Sequence, residues 1–109
     1  MIRITVPAKN GHVFFVSAPV ILKGENGPIE EIVLQKKSTS TKKYKELKPA
    51  IKPTIKPSKG GRWTLRYEKE GKSSLTVGDY LISVRAGGGK GAIRFFSVKV
   101  KPKKPGAKQ

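Results

Sequence analysis

The sequence has no cysteine, a single histidine and only seven acidic residues in 109 positions, and each shortage closes off a class of chemistry. Without cysteine there is no disulfide framework and no thiolate metal site, so nothing ties the chain to an oxidising compartment. With His12 alone, neither a metal site built on histidines nor a Ser-His-Asp constellation can be assembled within one chain. A lone histidine beside a turn reads as structural or merely exposed. Glu30-Glu31, Glu68 and Glu70 sit near lysines or on outward strand positions and Asp79 reads as a turn residue, so no carboxylate pair is set up for acid–base work. No enzyme and no cofactor are expected. Long apolar runs are missing too. Residues 13–22, VFFVSAPVIL, are broken by Ser17 and Pro19 and fall short of a membrane span or a convincing signal peptide.

What the chain has in excess is positive charge. Lysine and arginine total 24, giving a formal net charge of +17. A field of that sign attracts carboxylate, phosphate or sulfate polymers and acidic protein surfaces, and costs self-repulsion beyond what solubility requires. With 36% apolar residues the composition is globular. A chain of this length makes one domain that buries roughly two thirds of its unfolded surface.

Period two runs through most of the sequence. Ile2, Ile4 and Val6 alternate with Arg3 and Thr5 and stop at Pro7, a short first strand. Asn10-Gly11 marks a turn, and residues 13–22 read as one strand with a break, closed by Gly24, Glu25, Asn26, Gly27 and Pro28. Ile32, Val33 and Leu34, within residues 29–37, predict a strand buried on both faces. After Gly60-Gly61, strict alternation puts Trp63, Leu65 and Tyr67 on one core face. Residues 75–100 write a hairpin most plainly. Tyr80, Ile82, Val84 and Ala86 alternate with Leu81, Ser83 and Arg85, glycines at 87, 88, 89 and 91 reverse the chain, and Phe96, Val98 and Val100 alternate with Ser97 and Lys99.

Residues 36–59 hold nine lysines and one glutamate and end in a near-repeat, Leu47-Lys48-Pro49-Ala50, Ile51-Lys52-Pro53-Thr54, Ile55-Lys56-Pro57-Ser58. Proline every fourth residue excludes an α-helix and extends each preceding lysine. Odd positions are apolar and even positions mostly polar, the pattern of a strand. All three prolines would then delete donors from one edge, which protects that edge from adding strands and leaves the other free to pair. An edge strand and a solvated linker in polyproline II geometry both fit.

About seven short strands with Gly, Pro and Asn turns and no helical period indicate an antiparallel β-sandwich. Within it, Leu75-Thr76-Val77-Gly78-Asp79-Tyr80 resembles the tyrosine corner of immunoglobulin-like domains, where the phenol bonds back to the backbone a few residues upstream. Together with Pro19-Val20-Ile21-Leu22-Lys23-Gly24 and Arg62-Trp63-Thr64-Leu65, the order of signals is similar to bacterial immunoglobulin-like modules over most of residues 2–100. The resemblance implies an Ig-like sandwich over residues 1–100, with 36–59 as a Lys/Pro-rich insert or edge strand and 101–109 as a basic tail. It also implies structural roles for Tyr80 and Trp63, and binding or scaffolding rather than catalysis. Such modules occur as accessory subunits of phage particles, which need no signal peptide, so a virion or cytoplasmic location is expected.

Contacts to an anionic partner are expected from Lys36, Lys37, Lys42, Lys43, Lys45, Lys48, Lys52, Lys56 and Lys59, and from Lys101, Lys103 and Lys104 in the tail. The partner would be an acidic protein assembly or an anionic polymer, such as a virion or cell-wall surface; nonspecific nucleic-acid binding is the alternative, without any signature of specific readout. Phe95 has the opposite parity from Phe96, so an edge element covers it or it is exposed, and Phe14 and Phe15 cannot both face one core. Phe14 and Phe95 are therefore candidate contact aromatics, suited to stacking if exposed among lysines. Gly71-Lys72-Ser73 ends like a phosphate loop, but Arg66 stands where the motif needs glycine. Lys90 at the hairpin tip could meet an anion.

Overall fold

Alternating sequence becomes pleated strand. In the computed structural model, which describes residues 2–48, 50–87 and 91–101, the strands are β1 (Arg3–Val6), β2 (His12–Phe15), β3 (Val20–Glu25), β4 (Glu31–Lys37), β5 (Tyr44–Glu46), β6 (Thr54–Pro57), β7 (Trp63–Lys69), β8 (Lys72–Ser73), β9 (Gly78–Arg85) and β10 (Ala92–Lys99). A single 3-10 turn, Lys59–Gly61, is the one helical element among the described residues. One sheet has the order β1-β3-β7-β6, with β8 pairing β7, and the other the order β2-β10-β9-β4-β5. This partition, with the first, third, seventh and sixth strands facing the rest, is that of an immunoglobulin-like sandwich.

Ten strands are found where about seven were expected, for three local reasons. Residues 13–22 are two strands rather than one with a break. The backbone turns at Ser17, where the Ala18 N–H donates to the Phe15 carbonyl at 3.2 Å, and Val20 begins β3 in the opposite sheet. Residues 36–59 supply the end of β4 and then β5 and β6, and β8 is a two-residue appendage to β7. Nor is the sandwich wholly antiparallel, because β2 pairs in parallel with β10, from Phe96↔His12 to Lys99↔Phe15. Asp79 belongs to β9 rather than a turn, and its carboxylate accepts the Ser97 hydroxyl proton at 2.6 Å across the strand pair. The strand at 29–37 starts only at Glu31, and it is buried on one face, through Leu34, while Val33 on the other is half-covered.

Inward-facing residues of both sheets meet in one core: Val20 and Leu22 from β3, Leu65 and Tyr67 from β7, Tyr80, Ile82 and Val84 from β9, and Phe96 and Val98 from β10. Trp63 closes one end and donates its indole N–H to the Glu25 carbonyl at 3.3 Å. The tyrosine corner forms as the resemblance implies: the Tyr80 hydroxyl donates to the Thr76 carbonyl at 2.8 Å. Ile82, two residues further on, occupies the place where disulfide-bearing relatives of this fold put their second cysteine, and is fully buried. Tyr80→Phe should cost about 1 kcal/mol, the usual net value of one hydrogen bond; an unchanged urea midpoint would remove the corner from the account of stability.

Two charged side chains point inward. Arg94 shares the parity of Phe96 and Val98, and its guanidinium crosses the open side of the sandwich to donate to the Ile4 carbonyl on β1 at 2.7 Å. Lys36 shares the parity of Leu34 and lies against the corner, its ammonium donating to the Thr76 hydroxyl at 2.8 Å and standing 5.6 Å from the centre of the Tyr80 ring. Within the repeat, only Thr54–Pro57 forms a strand, at the outer edge beside β7. The Ser58 N–H donates to the Arg62 carbonyl at 2.7 Å, so even-numbered donors face β7 and Pro53 and Pro57 fall on the outer side. Residues 50–53 are irregular, and Pro49 lies outside the described residues.

Candidate binding surface

The two outward faces of the sandwich differ in chemistry, and the pairing register shows how. On the β2-β10-β9-β4-β5 sheet, alternation turns outward Val13 and Phe15 from β2, Ile93 and Phe95 from β10, Leu81 from β9 and Val33 from β4. Ile93 is 53% exposed and Phe15 37%, while the others are half-covered. Charges on this face balance: Lys37, Arg85 and Lys99 against Glu31, Glu46 and Asp79, with Arg85 and Glu31 paired at 2.7 Å. Phe95 does not stand free, since the Tyr44 ring from edge strand β5 lies against it edge-on at 5.4 Å between centres. Of the adjacent pair, Phe14 turns inward and packs edge-on against Phe96 at 5.5 Å, so the outward aromatic is Phe15 and not Phe14. Parity decides this: Phe14 lies opposite core residue Val98, and Phe15 opposite outward Lys99.

The outer face of the β1-β3-β7-β6 sheet is basic. Arg3 pairs with Glu25 at 3.6 Å and Arg66 with Glu68, which uses up both carboxylates of that face. The Arg66 hydrogen bond, opposed by some desolvation, is the main cause holding the Glu68 carboxyl below its ordinary range. Left over are Lys23 and Lys56, which flank Thr64 in one cross-strand row, Lys23↔Thr64↔Lys56. Strands lie about 4.8 Å apart, so the two ammonium stems rise roughly 10 Å from each other with a threonine hydroxyl between them. Both are exposed, and among the described residues neither has a carboxylate within 4 Å, although the Lys56 charge adds slightly to the lowering of Glu68. All three ion pairs among the described residues use arginine, so no described lysine is spent on one.

The expected lysines are dispersed rather than gathered. Lys42 and Lys43 sit on the turn between β4 and β5, Lys45 on edge strand β5, Lys48 and Lys52 on the exposed crossing to β6, Lys56 on β6 and Lys59 in the 3-10 turn. Lys37 lies on the apolar face, and Lys101 is exposed just beyond β10. Lys36 differs from the others, because its ammonium, half-exposed, is bonded to the Thr76 hydroxyl at the tyrosine corner. Lys90, Lys103 and Lys104 lie outside the described residues. Sequence reasoning passed over Lys23, although its place beside Gly24 in an alternating strand marks it as outward-facing. His12 is exposed at the start of β2, and no cluster of metal-ligating side chains occurs among the described residues. Nor does any described helix have the length and apolarity to cross a membrane.

No family model matches the sequence, and no curated protein matches it. Among solved structures, the N-terminal Ig1-2 module of the Drosophila receptor protein tyrosine phosphatase DLAR is similar, at 16% identity and a TM-score of 0.48, over 95% of this chain and 50% of that one. The RIG-5 IG1 homodimer structure is 14% identical with a TM-score of 0.45 over 93% and 98%, and the C. elegans twitchin kinase fragment 15% identical with a TM-score of 0.47 over 95% and 22%. The chain spans half the length of the first of these. The assignment stands on strand order and on the Tyr80–Thr76 bond: this is an immunoglobulin-like β-sandwich without the inter-sheet disulfide.

Proposed function

We propose that the chain is a non-enzymatic binding or structural module that docks on an acidic protein assembly or an anionic polymer, such as a virion or cell-wall surface. The observation that supports this reading is the pairing of charges: arginines take up the carboxylates of this face, and Lys23 and Lys56 are left flanking Thr64, beside Val6 and Ile21. Unpaired ammonium groups cost little in water and gain most where an anionic surface replaces solvent. Lys48, Lys52 and Lys59 extend the same charge along the β6 side.

The test is an affinity series for poly-L-glutamate, a sulfated polysaccharide and duplex DNA at about 150 mM salt, near physiological ionic strength. The Lys23→Glu/Lys56→Glu double variant should lose roughly tenfold or more in affinity for the polymer bound, through charge repulsion, whereas Lys42→Glu/Lys43→Glu on the β4–β5 turn should lose less. Binding to none of the polyanions sinks the proposal. Tight binding to DNA alone, with a salt slope reporting many phosphate contacts, replaces it with the nucleic-acid reading. Against that reading stand the aromatics: Phe95 is covered by Tyr44, and the outward Phe15 lies on the charge-balanced face, so bases find no stacking platform among the free lysines.

A further inference from the structure

On a chain of formal net charge +17, the outward face of the β2-β10-β9-β4-β5 sheet carries as many negative as positive groups. Its middle is apolar. Ile93 lies across from Ser83 and Val33 in one cross-strand row, and Phe95 from Leu81 and Gln35 in the next. From edge strand β5 the Tyr44 ring leans over β4 and β9 to reach Phe95, with 5.4 Å between ring centres. Ile93 is still 53% exposed. A contiguous apolar band rimmed by charges on an outer sheet face marks a contact surface.

The order of the rim charges says what fits there. Along β4 the outward positions begin with Glu31 and end with Lys37. Along the neighbouring β9, which runs the other way, Arg85 stands beside Glu31 and, one step past the Lys36↔Tyr80 pair, Asp79 stands beside Lys37. Each strand therefore has a negative group at one end of the apolar band and a positive group at the other, roughly 20 Å away at about 3.4 Å per residue. A second copy, given a half-turn about an axis running across the strands, lays β4 over β4 and β9 over β9 in opposite directions. Glu31 then faces the partner's Lys37 and Arg85 faces the partner's Asp79, each contact occurring twice by symmetry, while the row of Ile93 and Val33 covers the row of Phe95 and Gln35. A half-turn about an axis along the strands would instead set Arg85 against Arg85 and Asp79 against Asp79.

We propose that this face joins two copies of the chain, related by the half-turn across the strands. The apolar band supplies the affinity, and the rim charges, which are worth little individually in water, fix the register. Elsewhere the two copies repel each other through their net positive charge, so a face of balanced charge is where they meet. Five strands about 4.8 Å apart make a face roughly 20 Å square, at the small end for protein interfaces, so the pair is reversible with a dissociation constant on the order of tens of micromolar. The basic sheet lies on the opposite side of the sandwich and stays open in the pair, so this interface does not depend on what docks there.

The experiment is sedimentation equilibrium of the full chain from about 1 μM to about 1 mM, at about 150 mM salt so that charges away from the contact are screened. A monomer–dimer equilibrium is expected. Ile93→Lys, at an exposed position, should weaken it roughly tenfold or more by placing a charge in the apolar band. Glu31→Lys and Lys37→Glu should each weaken it by about tenfold, because each sets like charges against each other twice. The combined Glu31→Lys/Lys37→Glu variant should return to within about threefold of the wild type, since the half-turn then faces the exchanged charges with each other. That recovery is specific to this register, and a general effect on folding would be compounded in the double variant rather than relieved. The proposal is overturned if the wild-type chain is monomeric throughout the concentration range, if Ile93→Lys leaves the association unchanged, or if the double variant associates no more tightly than the single ones.

Discussion

Phe96→Ala should lower the stability of the chain by about 4 kcal/mol, within the range for removing a large aromatic from a core. Phe96 is 1% exposed and sits where three rings meet. It stacks on Tyr80 at 5.4 Å with planes 12° apart and takes Phe14 edge-on at 5.5 Å. Alanine would forfeit both ring contacts and open a void between β10 and β9, which cannot collapse because the Tyr80 hydroxyl is pinned to the Thr76 carbonyl. A small domain has only about 5–15 kcal/mol in total, and at a urea dependence of about 1–3 kcal/mol per molar the midpoint should fall by roughly 2 M. Urea unfolding of the variant measures it directly, and a loss under about 1.5 kcal/mol would show that the centre of the core lies elsewhere.

Gly24→Ala should cost nearly as much, about 3 kcal/mol, at the upper end for overpacking. Gly24 lies on β3 opposite Trp63 on β7 and Ile4 on β1, and the indole lies directly over it. A methyl group built there would overlap both the Trp63 ring and the Arg3 backbone carbonyl. The ring alone could tilt away, but it is 2% exposed and its N–H is bound to the Glu25 carbonyl, and a sheet carbonyl cannot yield without breaking its ladder. Trp63 is the only tryptophan, so its fluorescence reports the displacement without labelling. Unchanged emission and an unchanged melting temperature would contradict the close approach.

The hairpin ending in β10 was legible because period two is unbroken there, and the same alternation gave the core faces of β3, β7 and β9. It failed where the chain changes sheets. From Val13 to Leu22 the apolar run is continuous, and nothing in the residue types says that Phe15 and Val20 belong to opposite layers; the bend at Ser17 decides it. Arg94 and Lys36 carry a signal of another kind. Both carry core parity, alongside Phe96 and Leu34, and a charge at such a position signals a side chain reaching across or along the sandwich; for Lys36, counting it among the partner-facing lysines set that parity aside. The edge-strand reading of the lysine–proline repeat holds for Thr54–Pro57; residues 50–53 stand off from β7, although β7 continues to Lys69, because there the chain crosses between the sheets. That the Tyr67 hydroxyl has no partner among the described residues left no trace in sequence. Whether a buried phenol finds an acceptor depends on how the opposite sheet packs, and Tyr67 read as an ordinary core aromatic.

The parallel pairing of β2 with β10 also fixes how this chain answers a mechanical load. Tension applied through residues 11 and 99 pulls the two strands past each other along their length. The bonds from the Gly11 N–H to the Phe95 carbonyl, at 2.9 Å, and from the Val16 N–H to the Lys99 carbonyl, at 3.0 Å, then bear the strain together with the ladder between them. Antiparallel strands pulled from one end would open bond by bond, like a zip. Here rupture must be concerted, so resistance to stretching is set by this short ladder and not by the larger sheets behind it.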